Sequence, residues 1–405
     1  MKDIKVVIGA NFGDEGKGLM TDYFCEKLGG RVLNVRFNGT SQAGHTVERD
    51  GKRHVFSHFG SGSMLPGVAT YLSSEFFFNP IKFFEELEEL EKLEIIPEVY
   101  LCNKSEAITI YDIFFNCIVE TARGNERHGS CGAGLWEALN RQRAGYELKA
   151  KDIYEDRKQI RGKLIEIRDE YYSKRFEEMK VDFGEDNEWY EIWNSDTALD
   201  NYIDMLIALK DVVTVTDEEE ILNSFERQVY EGAQGLLLDY GNRAYMPNLT
   251  ASYTGGKNVV KLLDQIEGEA DVEVCYVTRT YFTRHGAGRF ETEAAKEKLD
   301  QQSHEILEEE TNITNRWQGE FRWGYFDRQL FAETIAEDGR WFNACSKKKI
   351  RSTVAFTHVN KTDGYLLEEK KNVRIEDFIN TILDKDERYY ECFAKTADGV
   401  CVKAV

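Results

Sequence analysis

The stretch Val6-Val7-Ile8-Gly9-Ala10-Asn11-Phe12-Gly13-Asp14-Glu15-Gly16-Lys17-Gly18 constrains this chain more than any other. Lys2 to Ile8 is rich in β-branched residues and reads as a short strand. Four glycines then fall within ten positions, with two acids and one lysine among them. Glycine lets backbone N–H groups approach an anion closely. A helix predicted over Leu19–Leu28, apolar at Leu19, Met20, Tyr23, Phe24 and Leu28, aims its N-terminus at the same spot. A phosphate fits there. The loop is not a Walker A loop, because six residues separate Gly9 from the Gly16-Lys17 pair and Gly18 replaces the Ser or Thr whose hydroxyl holds magnesium. A carboxylate has to take that task, and Asp14 is the one inside the loop. An ordinary glycine-rich strand-to-helix turn is the competing reading.

A chain of 405 residues buries a substantial core, as one large α/β domain or two smaller ones. Hydrophobic residues make up 41% and aromatic ones 12%. No apolar run approaches the roughly 18 residues needed to span a bilayer, which excludes a membrane partner. The opening Met1-Lys2-Asp3-Ile4-Lys5 runs straight into the first strand without a secretory leader, so a cytoplasmic protein is expected. Lys and Arg number 52 against 73 acids, a formal charge of −21, which repels a nucleic-acid backbone. The eight cysteines form no C-x-x-C pair and read as reduced core residues.

Arg31 to Phe37 reads as a second strand that delivers Asn38-Gly39-Thr40-Ser41-Gln42-Ala43-Gly44-His45-Thr46. Small residues and amides around one histidine suit a loop that closes on a ligand. Taken alone, a histidine in such a loop is more often structural than catalytic.

Gly13-Asp14-Glu15-Gly16-Lys17-Gly18 and Ala43-Gly44-His45-Thr46 together resemble the two amino-terminal signatures of adenylosuccinate synthetases, GDEGKGK and NAGHT. Tyr230-Glu231-Gly232-Ala233-Gln234-Gly235-Leu236-Leu237-Leu238-Asp239 is similar to that family's FEGAQGTLLD. Thr250-Ala251-Ser252 with Thr254-Gly255-Gly256 resembles VTSSNTTAGG, and Thr283-Arg284-His285-Gly286-Ala287-Gly288 resembles STRVGAG. The resemblance implies a mostly parallel central sheet with helices on both faces, of the P-loop-NTPase-like kind this family has. It implies a single domain over residues 1–405 with a helical insertion at about 152–226, although residues 155–225 and the last 40 match the family weakly or not at all.

It also implies a C–N ligase of purine biosynthesis. The γ-phosphate of GTP (or ATP) goes to O6 of IMP, and the amino group of L-aspartate then displaces phosphate at C6 to give adenylosuccinate. Asp14 corresponds to the base that takes the N1 proton and ligates Mg²⁺ together with Gly44. His45 stabilises charge on the transferred oxygen, Lys17 neutralises phosphate, and Gln234 holds the base and its O6. By resemblance the donor nucleotide lies against Asp14, Glu15, Gly16, Lys17, Gly18, Gly44, His45 and Thr46, with Asn360, Lys361 and Asp363 at its base. The purine monophosphate falls to Asn38, Gln42, Ser130, Cys131, Gln234, Thr250 and Arg316, with Arg141 and Arg143 as candidates for the arginine lent across a homodimer.

Several positions depart from the family pattern. Gly129-Ser130-Cys131-Gly132-Ala133-Gly134 stands where the family has GTTGRGIGP, so a phosphate-binding threonine becomes Cys131 and an aspartate-binding arginine becomes Ala133. The run from Thr311 to Asp327 replaces the arginine-rich VTTGRRRR loop and leaves Thr314, Arg316 and Arg322 for the amino acid. Near Thr357-His358-Val359-Asn360 two registers compete. In one, Asn360 replaces the aspartate that reads guanine, and an amide pairs with adenine instead, so ATP or dATP stays open beside GTP. In the other, Asn360-Lys361-Thr362-Asp363 is the literal N-K-x-D guanine signature.

Two alternatives stay open. Phage relatives of the family make 2-aminoadenylosuccinate from dGMP with ATP as an acceptable donor, but their loop aspartate is small or a serine, whereas Asp14 is retained here. A nucleotide-binding homologue without catalysis would have lost Asp14, His45 or Lys17, and all three are present. The charged stretch from Asp152 to Glu226 reads as amphipathic helices without a catalytic role, and Glu85–Leu93 as an exposed amphipathic helix.

Overall fold

The computed structural model describes residues 1–124, 132–185, 187–307, 319–343, 345, 348–384 and 387–405. In chain order its strands are β1 Lys2–Gly9, β2 Val32–Arg36, β3 His45–Arg49, β4 Lys52–Phe56, β5 Val68–Leu72, β6 Glu98–Cys102, β7 Thr214–Thr216 and β8 Arg227–Gly235. They continue with β9 Ala270–Arg279, β10 Phe282–His285, β11 Phe321–Gly324, β12 Lys348–Thr357, β13 Tyr365–Leu366, β14 Val373–Arg374, β15 Arg388–Cys392 and β16 Val400–Ala404. Ten of these form one sheet in the order β16-β15-β12-β9-β1-β8-β2-β5-β6-β7. Its pairings are parallel except for β15 with β16.

A parallel strand covered on both faces needs apolar side chains on both, and β1 meets that demand. Ile4, Val6 and Ile8 pack on one side with Leu33, Val35, Val272 and Val274, under the helices Gly256–Leu263 and Arg328–Phe342. Val7 turns to the other side, where Leu19, Met20, Tyr23 and Phe24 of the helix Lys17–Leu28 cover it. Helices therefore lie on both faces, and β1 sits between β8 and β9 with the carboxyl ends of β1, β2, β8, β9 and β12 at one edge. Ligands of such folds gather at that edge.

Between β6 and β7 the chain builds a helical lobe. It begins at Ile110–Arg123, earlier than residue 152, and rejoins the sheet at Thr214, short of residue 226. Phe115, Leu164, Tyr172, Trp193 and Tyr202 are buried in its core, so the aromatic residues among them are packing groups. The helix Pro80–Lys92 is amphipathic, but Glu86 on it is only 4% exposed. Its carboxylate accepts the backbone N–H groups of Ser57 and His58, at 3.1 and 2.6 Å. Of the described cysteines Cys401 is exposed, six are buried, and all are free. No described helix is long and apolar enough to cross a membrane.

Candidate active site at the carboxyl edge of the sheet

The first loop closes around an internal anion. Gly16 stands at φ 99°, a backbone conformation glycine adopts freely, and starts the helix Lys17–Leu28. A Cβ on Gly9 would lie 2.4 Å from Oε2 of Glu15, which explains a glycine there. The Glu15 carboxylate accepts the N–H of Asn11 at 3.0 Å and of Gly13 at 2.7 Å. Lys17 donates to the Gly13 carbonyl at 2.6 Å and to Glu15 at 3.1 Å, and both side chains are almost fully buried. Glu15 and Lys17, expected on donor phosphates, thus brace the loop from within. They set its shape first and its potential second.

The second turn brings His45 to the first. Its Nδ1 lies 2.5 Å from Oε1 of Glu231 on β8. Glu231 is fully buried and accepts the Ser61 backbone N–H at 2.9 Å as well as the Ser61 hydroxyl. Burial alone would push this carboxyl up, but Arg36, His45 and Ser61 outweigh it and hold it at about 2. Burial also pushes the His45 imidazole below its ordinary value, against the pull of Glu231.

Two cavities meet at these turns. The larger, about 480 Å³, is lined by Asp14, Gln42, His45, Trp136, Gln234 and Thr250 among others. The second, about 200 Å³, is lined by Gly16, Lys17, Gly18, Thr46, Arg279 and Asn360 among others. Gly13, Asp14, Gly44 and His45 lie on the wall common to both. A donor phosphate in one cavity and an acceptor in the other would meet between a carboxylate and an imidazole.

In the larger cavity Gln42 donates to Thr250 Oγ1 at 2.8 Å, bringing two residues expected on the purine monophosphate together. Gln234, at φ 64°, lies beside Gly13, and Trp136 is tied by its indole N–H to the Leu249 carbonyl at 3.2 Å. Asn38 is elsewhere. It is buried with its amide committed to both backbone groups of Ala233, at 2.7 and 3.0 Å, so it holds the Gln234 turn instead of binding the monophosphate.

Arg141, expected as a candidate for the arginine lent across a homodimer to the purine monophosphate, is also corrected. It is fully buried, and its donors go to Asp112, Glu106 and the carbonyls of Ala107 and Tyr146. These five bonds exhaust a guanidinium. Arg143 is exposed, lines neither cavity, and donates to the Tyr240 hydroxyl at 2.7 Å. Ser130, Cys131, Thr314 and Arg316 lie outside the described residues.

The literal N-K-x-D reading does not hold in the second cavity. Asn360 and Lys361 line it, but Lys361 pairs with Glu305 at 2.9 Å, and Asp363, the helix C-cap, is absent from the lining. His358 lines the same end, held well below its ordinary value by burial and by the charges of Arg279, Lys361 and Lys395. Arg322, expected on an amino-acid carboxylate, is held by the Glu293 carboxylate, at 2.8 Å from Nε, and by the carbonyls of Gly286 and Gly288. It does not line either cavity.

Four residues with evident influence on the site were not foreseen. Glu231 stood inside a recognised motif without a role, and Arg36 was legible only as a charge ending the apolar strand β2. Arg284 is buried in the larger cavity wall with its hydrogen bonds to the carbonyls of Ala287, Arg289 and Asn248, and burial lowers it to about 10. Arg175 reaches the same cavity from the helical lobe, where no role was expected. No group of three or more His, Cys, Asp or Glu among the described residues could hold a metal. The Asp14 carboxylate and the Gly44 backbone on the common wall suit Mg²⁺, an ion that takes its other ligands from phosphates and water.

A family model described as adenylosuccinate synthetase matches residues 6–382. The adenylosuccinate synthetase of Mesoplasma florum is 29% identical over 306 residues, 73% of this chain and 66% of that protein, which is just under two thirds of its length. That of Lactobacillus acidophilus is 30% identical over 329 residues, 79% of this chain and 71% of the other. Among solved structures, the fully ligated adenylosuccinate synthetase from Plasmodium falciparum aligns over 98% of this chain and 99% of that one, with a TM-score of 0.70 and 18% identity. Cyanophage S-2L succinoaminodeoxyadenylate synthetase, bound to dGMP and dATP, aligns over 99% and 95% with a TM-score of 0.61 and 18% identity. At such identity these two structures speak to the fold. The family model spans nearly the whole chain and includes both loops that meet at the common wall, and this chain belongs to the adenylosuccinate synthetase family.

Proposed function

We propose that this chain is a ligase that joins the amino group of L-aspartate to C6 of IMP through a 6-phosphoryl intermediate, at the cost of one nucleoside triphosphate. The observation that carries the reading is the common wall, where Asp14 and His45 face two adjoining cavities. Asp14 takes the proton from N1 of the purine, which makes O6 nucleophilic toward the γ-phosphorus. The γ-phosphoryl passes to O6 and the nucleoside diphosphate leaves. A bound triphosphate beside the His45 ring favours the imidazolium, which then stabilises negative charge on the transferring oxygens. The aspartate amine adds at C6 and inorganic phosphate departs. Magnesium, held by Asp14 and Gly44, supplies charge neutralisation of the phosphates when bound. Gln42 and Thr250 hold the 5′-phosphate, and Gln234 the base.

A second reading takes dGMP as acceptor and ATP or dATP as donor. Asn360 favours it on the donor side, because guanine recognition wants a carboxylate for its N1–H and N2–H, and among the described residues the carboxylates lining that cavity are Asp14 and Glu48. The cyanophage protein of like fold binds dGMP and dATP. Asp14 favours IMP by resemblance, since the relatives that take dGMP have a smaller residue or a serine at that position. By family resemblance the protein works as a cytoplasmic homodimer, with the exposed Arg143 offered to the partner.

Phosphate release measured with Mg²⁺, aspartate and either IMP or dGMP, each with GTP or ATP, tests both readings. The first expects phosphate that depends on IMP and on aspartate. Turnover with dGMP alone replaces it with the second, and no turnover with either acceptor overturns both.

A further inference from the structure

Glu231 sits behind His45 in the middle of β8, a position where a buried carboxylate demands an explanation. Its side chain is fully buried, and moving a carboxylate out of water costs several kcal/mol unless partners compensate. Every partner it has converges on one geometry. The Ser61 backbone N–H, at 2.9 Å, and the Ser61 hydroxyl fix it from the loop after β4. Arg36 on β2 gives one N–H to the Phe59 carbonyl at 2.7 Å and lends its field to Glu231. The remaining bond goes to Nδ1 of His45 at 2.5 Å.

We propose that Glu231, pinned by Ser61, is the positioning residue that fixes the tautomer and orientation of His45, so that Nε2 is the ring atom offered to the transferring phosphoryl group. An imidazole anchored at Nδ1 by a carboxylate keeps its other nitrogen aimed outward, the arrangement by which an acid orients a catalytic histidine in unrelated enzymes. The His45 ring also lies near Lys17 on the first helix, and Cys25 of that helix lies near Glu231. Lys17 is already paired with Glu15, and burial holds the Cys25 thiol well above its ordinary value, so neither competes for Nδ1. Glu231 touches no substrate in this scheme and acts through His45 alone. The role rests on the ligase reading above.

The test compares wild type, Glu231→Gln, His45→Gln and the double variant in steady-state phosphate release. Glu231→Gln is expected to lower kcat about 100-fold with both nucleotide KM values within about threefold, because only transition-state stabilisation is lost. In the His45→Gln background the same change is expected to have no further effect, as residues acting as a unit are not additive. Should Glu231→Gln fail to fold, Ser61→Ala removes one of the pinning bonds and is expected to lower kcat about tenfold with KM unchanged. A low-field imidazole N–H proton resonance, present in wild type and lost in both Glu231→Gln and His45→Gln, reads the contact without turnover. An active wild type whose Glu231→Gln variant keeps kcat within twofold, or whose two losses multiply, overturns the role of Glu231. A wild type without turnover overturns the ligase reading, and absence of the resonance then removes the contact as well.

Discussion

Gln42 donates its amide N–H to Thr250 Oγ1 at 2.8 Å and so joins the turns that follow β2 and β8, 208 residues apart. Both groups line the larger cavity, where a 5′-phosphate would replace or share that bond. Thr250→Ala and Gln42→Ala are each expected to raise KM for the purine monophosphate about tenfold or more, since a hydrogen bond to a charged group contributes about 1.5–3 kcal/mol. Steady-state kinetics should find kcat nearly unchanged.

Asp14 and His45 are expected to behave differently. Asp14→Asn and His45→Gln remove proton transfer and charge stabilisation, so kcat should fall about 10²–10⁴-fold in each. Calorimetric titration with the monophosphate should still detect binding in His45→Gln.

Arg141 and Arg143 separate a structural cation from a surface one. Arg141→Met leaves Asp112 and Glu106 buried without their counter-charge, and breaking such a pair costs about 3–5 kcal/mol. Thermal unfolding should show a large drop in Tm or loss of the folded protein. Arg143→Ala, at an exposed position, should leave Tm where it is.

Asn360→Asp places a carboxylate at the base end of the donor cavity. The ratio of kcat/KM for GTP over ATP is expected to rise at least tenfold, because a carboxylate accepts from guanine and repels the acceptor N1 of adenine. An unchanged ratio would mean that the base is read elsewhere.

Asp338 gives the stability a pH dependence. It is buried against the sheet, accepts the Gly256 N–H at 2.7 Å and the Tyr276 hydroxyl at 3.0 Å, and burial pushes it up to about 7. From roughly pH 4 to 7 the native chain keeps a proton that the unfolded chain has lost, so this group makes stability fall as pH rises through that window. Asp338→Asn removes the titration. Its Tm should exceed that of wild type at about pH 8 and lose the advantage at about pH 5.

The first strand, the glycine loop and the helix after it were legible because their causes are local. β-branched residues, glycines at forced conformations and apolar spacing act within a few positions of one another. The same holds for the His45 turn, whose residue types announce a ligand loop, and for the alternation of strands and helices. Arg141 and Arg322 could not be told from ligands by sequence, since an arginine near a motif looks the same whether its donors face a cavity or a buried carboxylate. Glu86, on a helix that reads as exposed, shows the same limit.

What the sequence determined by itself is that a glycine-rich loop suited to phosphate and a histidine turn follow the first two strands of the chain. Which carboxylate meets His45, which arginines are committed to the core, and where two cavities share a wall were decided only by tertiary structure. Those facts depend on β8 coming to lie between β1 and β2, which brings Glu231 186 residues along the chain to the imidazole. Burial and pairing of charge are properties of that assembled neighbourhood, and no spacing along the chain encodes them.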